Sequence, residues 1–252
     1  MGERVVRLTI AYDGTGFRGW ARQRDPGIRT IEGVLTDRLE TVLREPVKLS
    51  VAGRTDAGVH ARAQVASFRT SSTIAPEQLR SAVNAALAPE VAVFEVSHVP
   101  AGFDARFSAT GRAYAYRIHE AEAPDPFTWR YVWHRPGRLA LRPMREAARA
   151  LVGTHDFSSF CRRPGEGRST VRTLRRLTVA RRGDLLEVRA EAEGFLHQMV
   201  RSLVGTLVAA GEGRIEPDEI PAVLAARDRS AAGRPAPARG LTLERVTYGR
   251  RL

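Results

Sequence analysis

The chain has 252 residues, 43% of them hydrophobic and 27% charged, which supports one large core or two domains of ordinary size and excludes a disordered chain. No apolar run approaches the roughly 20 residues of a membrane-spanning helix, and the charged, alternating residues 1–12 have no apolar stretch of the secretory kind, so neither a membrane nor a secreted protein is expected. The lone cysteine, Cys161, excludes an internal disulfide and any zinc site built on two cysteines, and suits a reducing cytoplasm. A formal net charge of +12 calls for an acidic partner, most readily nucleic acid. Lys48 is the single lysine among 40 basic residues. GC-rich coding would account for that ratio, but not for the excess of positive charge; arginine also gives phosphate a planar, two-pronged contact.

Residues 5–12 alternate, with Val6, Leu8, Ile10 and Tyr12 on one side, and predict a strand. A glycine-rich loop over 13–27 follows. Ile31, Val34, Leu35, Leu39, Val42 and Leu43 mark one face of a helix. Strands are expected over 47–52 and 63–68, around a loop at 53–62. Pro76 opens a second helix, continued by Leu79, Val83 and Leu87 and stopped by Pro89. Residues 91–99 alternate as a further strand.

The order then repeats. A strand is expected over 113–118, with Tyr114 and Tyr116 on one face, and a helix from Pro143 through Leu151 to Gly153. Strands over 174–180 and 185–192 flank an Arg182-Gly183-Asp184 turn. The strongest helical pattern runs Leu196, Met199, Val200, Leu203, Val204, Leu207 and Val208, ended by Gly211. A short helix follows Pro217, and residues 241–248 form a last strand. Exposed loops are expected at 162–167 and 230–239. Two strand–helix–strand–strand–helix–strand units predict an α+β protein of two ferredoxin-like or RNA-recognition-like halves, 1–105 and 106–252.

One motif misleads. Gly14-Thr15-Gly16-Phe17-Arg18-Gly19 spells a dinucleotide fingerprint after a strand, but the polar residues that follow carry no helical pattern. A turn-rich loop bearing Arg18, Arg22 and Arg24 is the better reading. The six histidines show no metal-ligand spacing. Cys161, following Phe157 and Phe160, reads as a small packing residue.

The loop Gly53-Arg54-Thr55-Asp56-Ala57-Gly58-Val59-His60-Ala61 differs in kind. It sets an acid and a base between glycines, in a connection between two strands, where backbone can approach a ligand closely. This segment resembles the signature of the TruA family of pseudouridine synthases. Four more segments are similar to that family in the right order: Tyr12 to Trp20, Phe103 to Ala109 with Tyr114-Ala115-Tyr116, His155 to Phe160, and Gly194 to Arg201. The closing Ala236 to Leu241 also fits. Ala21 departs from it, standing where the family usually has glutamine.

The resemblance implies a homodimer that acts on tRNA, converting uridines 38, 39 and 40 of the anticodon arm to pseudouridine without metal or organic cofactor. It makes Asp56 the catalytic nucleophile, with Arg201 as its arginine partner. Arg54 would fill the space left by a flipped base, Tyr114 would stack on that base, and Leu196 would form part of an apolar floor under it. The chemistry agrees. Moving C1′ from N1 to C5 of uracil needs no redox change and no group donor, and a carboxylate can supply the covalent step. A non-catalytic RNA-binding module would keep the charge and the aromatics without needing an Asp–Arg pair. A base-removing glycosylase would call for a second carboxylate, and Asp56 has none nearby in sequence.

Overall fold

The computed structural model describes residues 3–25, 27–162, 167 and 169–249. Most of the loop expected at 162–167 lies outside these residues. The chain separates into two compact units, Met1–Thr110 with Leu243–Leu252, and Gly111–Thr242.

In the first unit, β1 (Arg4–Tyr12) buries Val6, Leu8, Ile10 and Tyr12 as the alternation predicts. α1 (Ile31–Leu43) starts where the Thr30 hydroxyl accepts the Gly33 N–H, and buries Ile31, Leu35, Leu39 and Leu43. β2 (Ser50–Val51) is much shorter than the strand expected over 47–52. At the start of the expected strand the Val47 N–H donates to the Glu40 carboxylate at 3.1 Å. β3 (His60–Thr70) runs antiparallel to β1, with Leu8 opposite Ala66. α2 (Pro76–Leu87) has proline in its first turn and buries Leu79 and Val83. β4 (Val91–Val99) pairs antiparallel with the other edge of β1.

In the second unit, β5 (Ala109–His119) carries the short parallel β6 (Trp133–His134) at one end. α3 (Leu141–Leu151) buries Met144, Ala147, Ala148 and Leu151. β7 (Gly153–Asp156), β8 (Val171–Arg182) and β9 (Leu185–Ala192) complete an antiparallel order β5-β9-β8-β7. The turn between β8 and β9 uses Gly183 at φ +59. β6 and β7 are too short to leave a periodic signal and were not expected. α4 (Met199–Gly211) buries every residue except Arg201. It begins three residues later than the apolar spacing suggests, because Gln198 adopts a left-handed conformation at φ 63. α5 (Ile220–Ala226) follows a 3-10 turn opened by Pro217.

β10 (Leu241–Tyr248) returns from Leu243 onward to the first unit, beside β3. There Val246 and Tyr248 pack on a cluster of Ala52, Val65 and Ala105, and the Tyr248 hydroxyl donates to the Ala105 carbonyl at 2.8 Å. Among the described residues no helix is long and apolar enough to cross a membrane.

Candidate active site

Asp56 sits half-buried in the connection from β2 to β3, and Arg54 is exposed two residues before it. The connection is a tight turn: the Val59 N–H donates to the Asp56 carbonyl at 3.1 Å, and Gly58 supplies φ +76 at the third position, as a type II-like turn requires. A second loop, the one that imitates a dinucleotide fingerprint, packs over this turn and holds it. The Trp20 N–H donates to the Thr55 carbonyl at 3.0 Å, and the Gly58 N–H to the Phe17 carbonyl at 3.3 Å.

The glycines of that second loop serve close approach. A Cβ on Gly14 would stand 2.1 Å from the Val59 carbonyl oxygen, and one on Gly19 would stand 2.8 Å from the Thr55 oxygen. The Gly14 N–H donates to Nδ1 of the buried His60 at 3.1 Å. The second loop is itself pinned. Gly19 and Trp20 carbonyls accept the Ile31 and Glu32 N–H groups at the start of α1, at 3.2 and 2.9 Å. Arg29 lies 4.4 Å over the Phe17 ring and makes two hydrogen bonds to Glu90, at 3.0 and 2.7 Å. Asp56 is thus carried on a turn whose position is set by α1 and β1 through hydrogen-bonded backbone. Arg18, Arg22 and Arg24 are exposed on the same second loop.

Under the turn lie three buried polar side chains that the sequence did not single out. The Tyr12 hydroxyl is 2.8 Å from the Thr55 hydroxyl, and the Gln64 amide donates to the Gly53 carbonyl at 2.7 Å and to the Tyr12 oxygen at 3.3 Å. Burial pushes the Tyr12 phenol up to about 12, against the smaller opposing effect of these hydrogen bonds, so it keeps its hydrogen at any ordinary pH. The sequence places Tyr12 both on the alternating face of the first strand and at the head of the Tyr12 to Trp20 segment, but neither reading gives its hydroxyl a role.

Three candidate residues belong to the second unit. Tyr114 is buried on β5 with its ring edge-on to Phe195, at 5.3 Å between centroids. Leu196 is half-buried, and its carbonyl accepts the Met199 N–H that opens α4, at 3.1 Å. The structure therefore brings Tyr114 beside the segment that carries Leu196. Phe195 joins this group without having been foreseen, although it stands inside the Gly194 to Arg201 motif.

Arg201 is the only charged residue of α4. A solvated charge on an amphipathic helix would be unremarked, but this helix is buried on all sides. A strap over 232–237 holds Arg201 in place: its Nε donates to the Ala236 carbonyl at 2.7 Å, and the Ala236 N–H donates to the Arg201 carbonyl at 2.9 Å. The strap reaches α4 only because Gly205 and Gly233 meet. A Cβ on Gly205 would fall 1.8 Å from the Arg234 carbonyl oxygen. The Tyr116 hydroxyl donates to the Pro237 carbonyl at 2.8 Å and fixes the far end of the strap.

A family description of tRNA pseudouridine synthases matches residues 8–108 and 147–249. This chain belongs to that family. It is therefore an isomerase. It is 46% identical over 245 residues to a tRNA pseudouridine synthase A of Mesorhizobium japonicum, covering 96% of this chain and 98% of that one. It is 42% identical to the Bacillus subtilis protein of the same name, covering 96% and 98%. It is 39% identical to tRNA pseudouridine synthase A 2 of Clostridium tetani, covering 97% and 99%. Arg54, Asp56, Leu196 and Arg201 fall within the matched segments, and Tyr114 falls in the interval between them.

Proposed function

We propose that this synthase isomerises uridines 38, 39 and 40 of the tRNA anticodon stem-loop with Asp56 as nucleophile, acting as a cytoplasmic homodimer without metal or organic cofactor. Its two halves are ferredoxin-like or RNA-recognition-like in this reading, residues 1–105 bearing the Asp56 loop and 106–252 bearing Tyr114 and Arg201. The observation that carries the nucleophile assignment is the turn at Asp56. Glycines on two loops, at Gly14, Gly19 and Gly58, are spent on holding one half-buried carboxylate at a fixed place, which suits a reacting group better than a surface turn.

The reaction breaks the C1′–N1 bond and forms a C1′–C5 bond. The C5 proton leaves, N1 ends protonated, and the base composition is unchanged. Asp56 must be ionised to act, and an arginine partner keeps a desolvated carboxylate ionised; Arg201, fixed by its strap, fills that role. A uridine in a stem must leave the stack to react. Arg54, exposed beside Asp56, takes the vacated place. Tyr114 stacks on the extruded base, a contact worth roughly 1–3 kcal/mol per base, with Leu196 beneath it. The exposed Arg18, Arg22 and Arg24 and the net charge of +12 favour phosphate contact.

The test is tritium release from tRNA labelled at uridine C5, with wild type beside Asp56→Asn. Release by wild type alone, with pseudouridine at positions 38 to 40, supports the reading. Normal release by Asp56→Asn removes the nucleophile assignment. Free uracil would identify a glycosylase instead, and binding of tRNA without release would identify a non-catalytic RNA-binding module.

A further inference from the structure

The trio Tyr12, Thr55 and Gln64 is unusual for a protein interior. Their side chains are polar, and the residues are 4%, 7% and 0% exposed. Burying such groups costs free energy unless each is hydrogen-bonded, and an apolar trio of similar volume would fill the space without that cost.

Their donors and acceptors can be counted. Gln64 is oriented by backbone at both ends of its amide. Its oxygen accepts the Val65 N–H at 3.2 Å, and its nitrogen donates to the Gly53 carbonyl at 2.7 Å. The second amide hydrogen goes to the Tyr12 oxygen at 3.3 Å. The Tyr12 and Thr55 hydroxyls share a hydrogen bond at 2.8 Å, in which either can donate. The chain of bonds therefore links the sheet at Gln64 through Tyr12 to Thr55. It stops one residue short of Asp56.

We infer that Tyr12, Thr55 and Gln64 are positioning residues for the reaction, fixing the Thr55–Asp56 peptide against the sheet so that the Asp56 carboxylate is held at its reacting place. The inference rests on the nucleophile reading of Asp56. The Thr55 peptide is gripped from both sides: its carbonyl by the Trp20 N–H at 3.0 Å, and its side chain by Tyr12. Loss of the hydroxyl leaves the carbonyl grip alone, and the turn gains a freedom that a reaction depending on aligned atoms registers first.

The experiment compares Thr55→Val, Thr55→Ser, Tyr12→Phe and Asp56→Asn in the full-length enzyme. Single-turnover tritium release, the Kd for tRNA and the melting temperature are read for each. Valine matches threonine in shape and lacks only the hydroxyl, so the rate should fall about 100-fold, the scale of a small misplacement of a reacting group, with Kd within about three-fold of wild type. Serine restores the hydroxyl and should recover the rate to within about five-fold. Tyr12→Phe should lose about ten-fold, because Thr55 keeps its hydroxyl but loses the partner that aims it.

A wild-type rate in Thr55→Val overturns the inference, and so does a Thr55→Ser as slow as Thr55→Val. A rate loss matched by an equal loss of tRNA affinity does the same. If Thr55→Val does not fold, serine and Tyr12→Phe still decide, since wild-type turnover by Tyr12→Phe removes the relay. The two failures are distinguishable. An inactive Asp56→Asn beside a fully active Thr55→Val removes the positioning inference alone, whereas an active Asp56→Asn removes the nucleophile reading and with it the inference that rests on it.

Discussion

Gly19→Ala is a one-carbon change outside the Asp56 turn that should disable it. Gly19 has φ +93, a conformation that costs a residue with a side chain about 1–3 kcal/mol. The added Cβ would stand 2.8 Å from the Thr55 oxygen and 3.1 Å from both the Ala57 nitrogen and the Asp56 carbonyl carbon, where ordinary contact begins at 3.4 Å. All three neighbours are backbone, so no side chain can swing aside. Either the turn retreats by about 0.6 Å, or Gly19 rotates and the Trp20 N–H leaves the Thr55 carbonyl. Overpacking of this kind costs about 1–3 kcal/mol. With the strain at φ, stability should fall by about 2–6 kcal/mol, and each kcal/mol lowers Tm by about 2–4 °C in a chain of this size. Turnover should fall more steeply, by about 100-fold at temperatures where the variant is still folded, because the displaced backbone runs from Thr55 to Ala57 and carries Asp56, the proposed nucleophile. The assay is single-turnover tritium release, with circular dichroism to fix the folded fraction. Gly102→Ala is the matched control, since its Cβ would meet nothing within 4 Å. Turnover by Gly19→Ala within three-fold of wild type would refute the argument that the loop glycines hold Asp56.

Tyr114→Phe keeps the ring against Phe195 and removes the hydroxyl; if stacking alone matters, single-turnover rate should stay near wild type, and a large loss would assign the hydroxyl a proton-transfer role. tRNA affinity should fall steeply with salt, by about 10³–10⁵ between 50 and 200 mM if 6–10 phosphates are engaged, and a flat response would sink the basic-surface reading. Glu120, its side chain wholly buried, accepts from Arg181 at 2.5 and 2.8 Å and from the Leu139 N–H at 2.9 Å. Glu120→Gln should therefore cost about 3–5 kcal/mol, read as a drop in Tm of roughly 6–20 °C; a change under 2 °C would contradict it. Burial raises the Glu120 carboxyl, but the Arg181 and Leu139 hydrogen bonds outweigh burial and hold it below its ordinary value. Its stabilising contribution is thus present above the unfolded value of about 4.3 and lost as pH falls through the folded one, so the acid limb of the Tm profile should flatten in Glu120→Gln.

Elements with a long period were legible in the sequence, and short ones were not. α1, α2, β1, β4, β9 and β10 lie where apolar spacing puts them; α1 and β1 show the cause most clearly, since each buries one face over several turns or alternations. β2 covers only Ser50–Val51, and at Val47 the N–H goes to the Glu40 side chain, a partner that no pattern of hydrophobicity encodes. α4 began late for a similar reason, since the left-handed turn at Gln198 is a tertiary outcome at a residue with no special preference for it.

The site divides along the same line. Motif resemblance nominates Asp56, Arg54 and Arg201 as candidates, whereas the contacts that hold them in the fold leave no such signal. The sequence reads Gly14 and Gly19 as glycines of a turn-rich arginine-bearing loop, and the fold adds what they leave unfilled against residues some 40 positions away in sequence. Tyr12 and Gln64 carry no chemistry of their own and stand among strand residues. Only the fold places their polar ends under Thr55. The same loop explains why the G-x-G-x-x-G spacing misled: both uses need backbone to approach something closely. In a dinucleotide site that something is a pyrophosphate at a helix N-terminus. Here it is the peptide that bears Asp56, and the helix whose first N–H groups the loop satisfies, α1, begins only at Ile31.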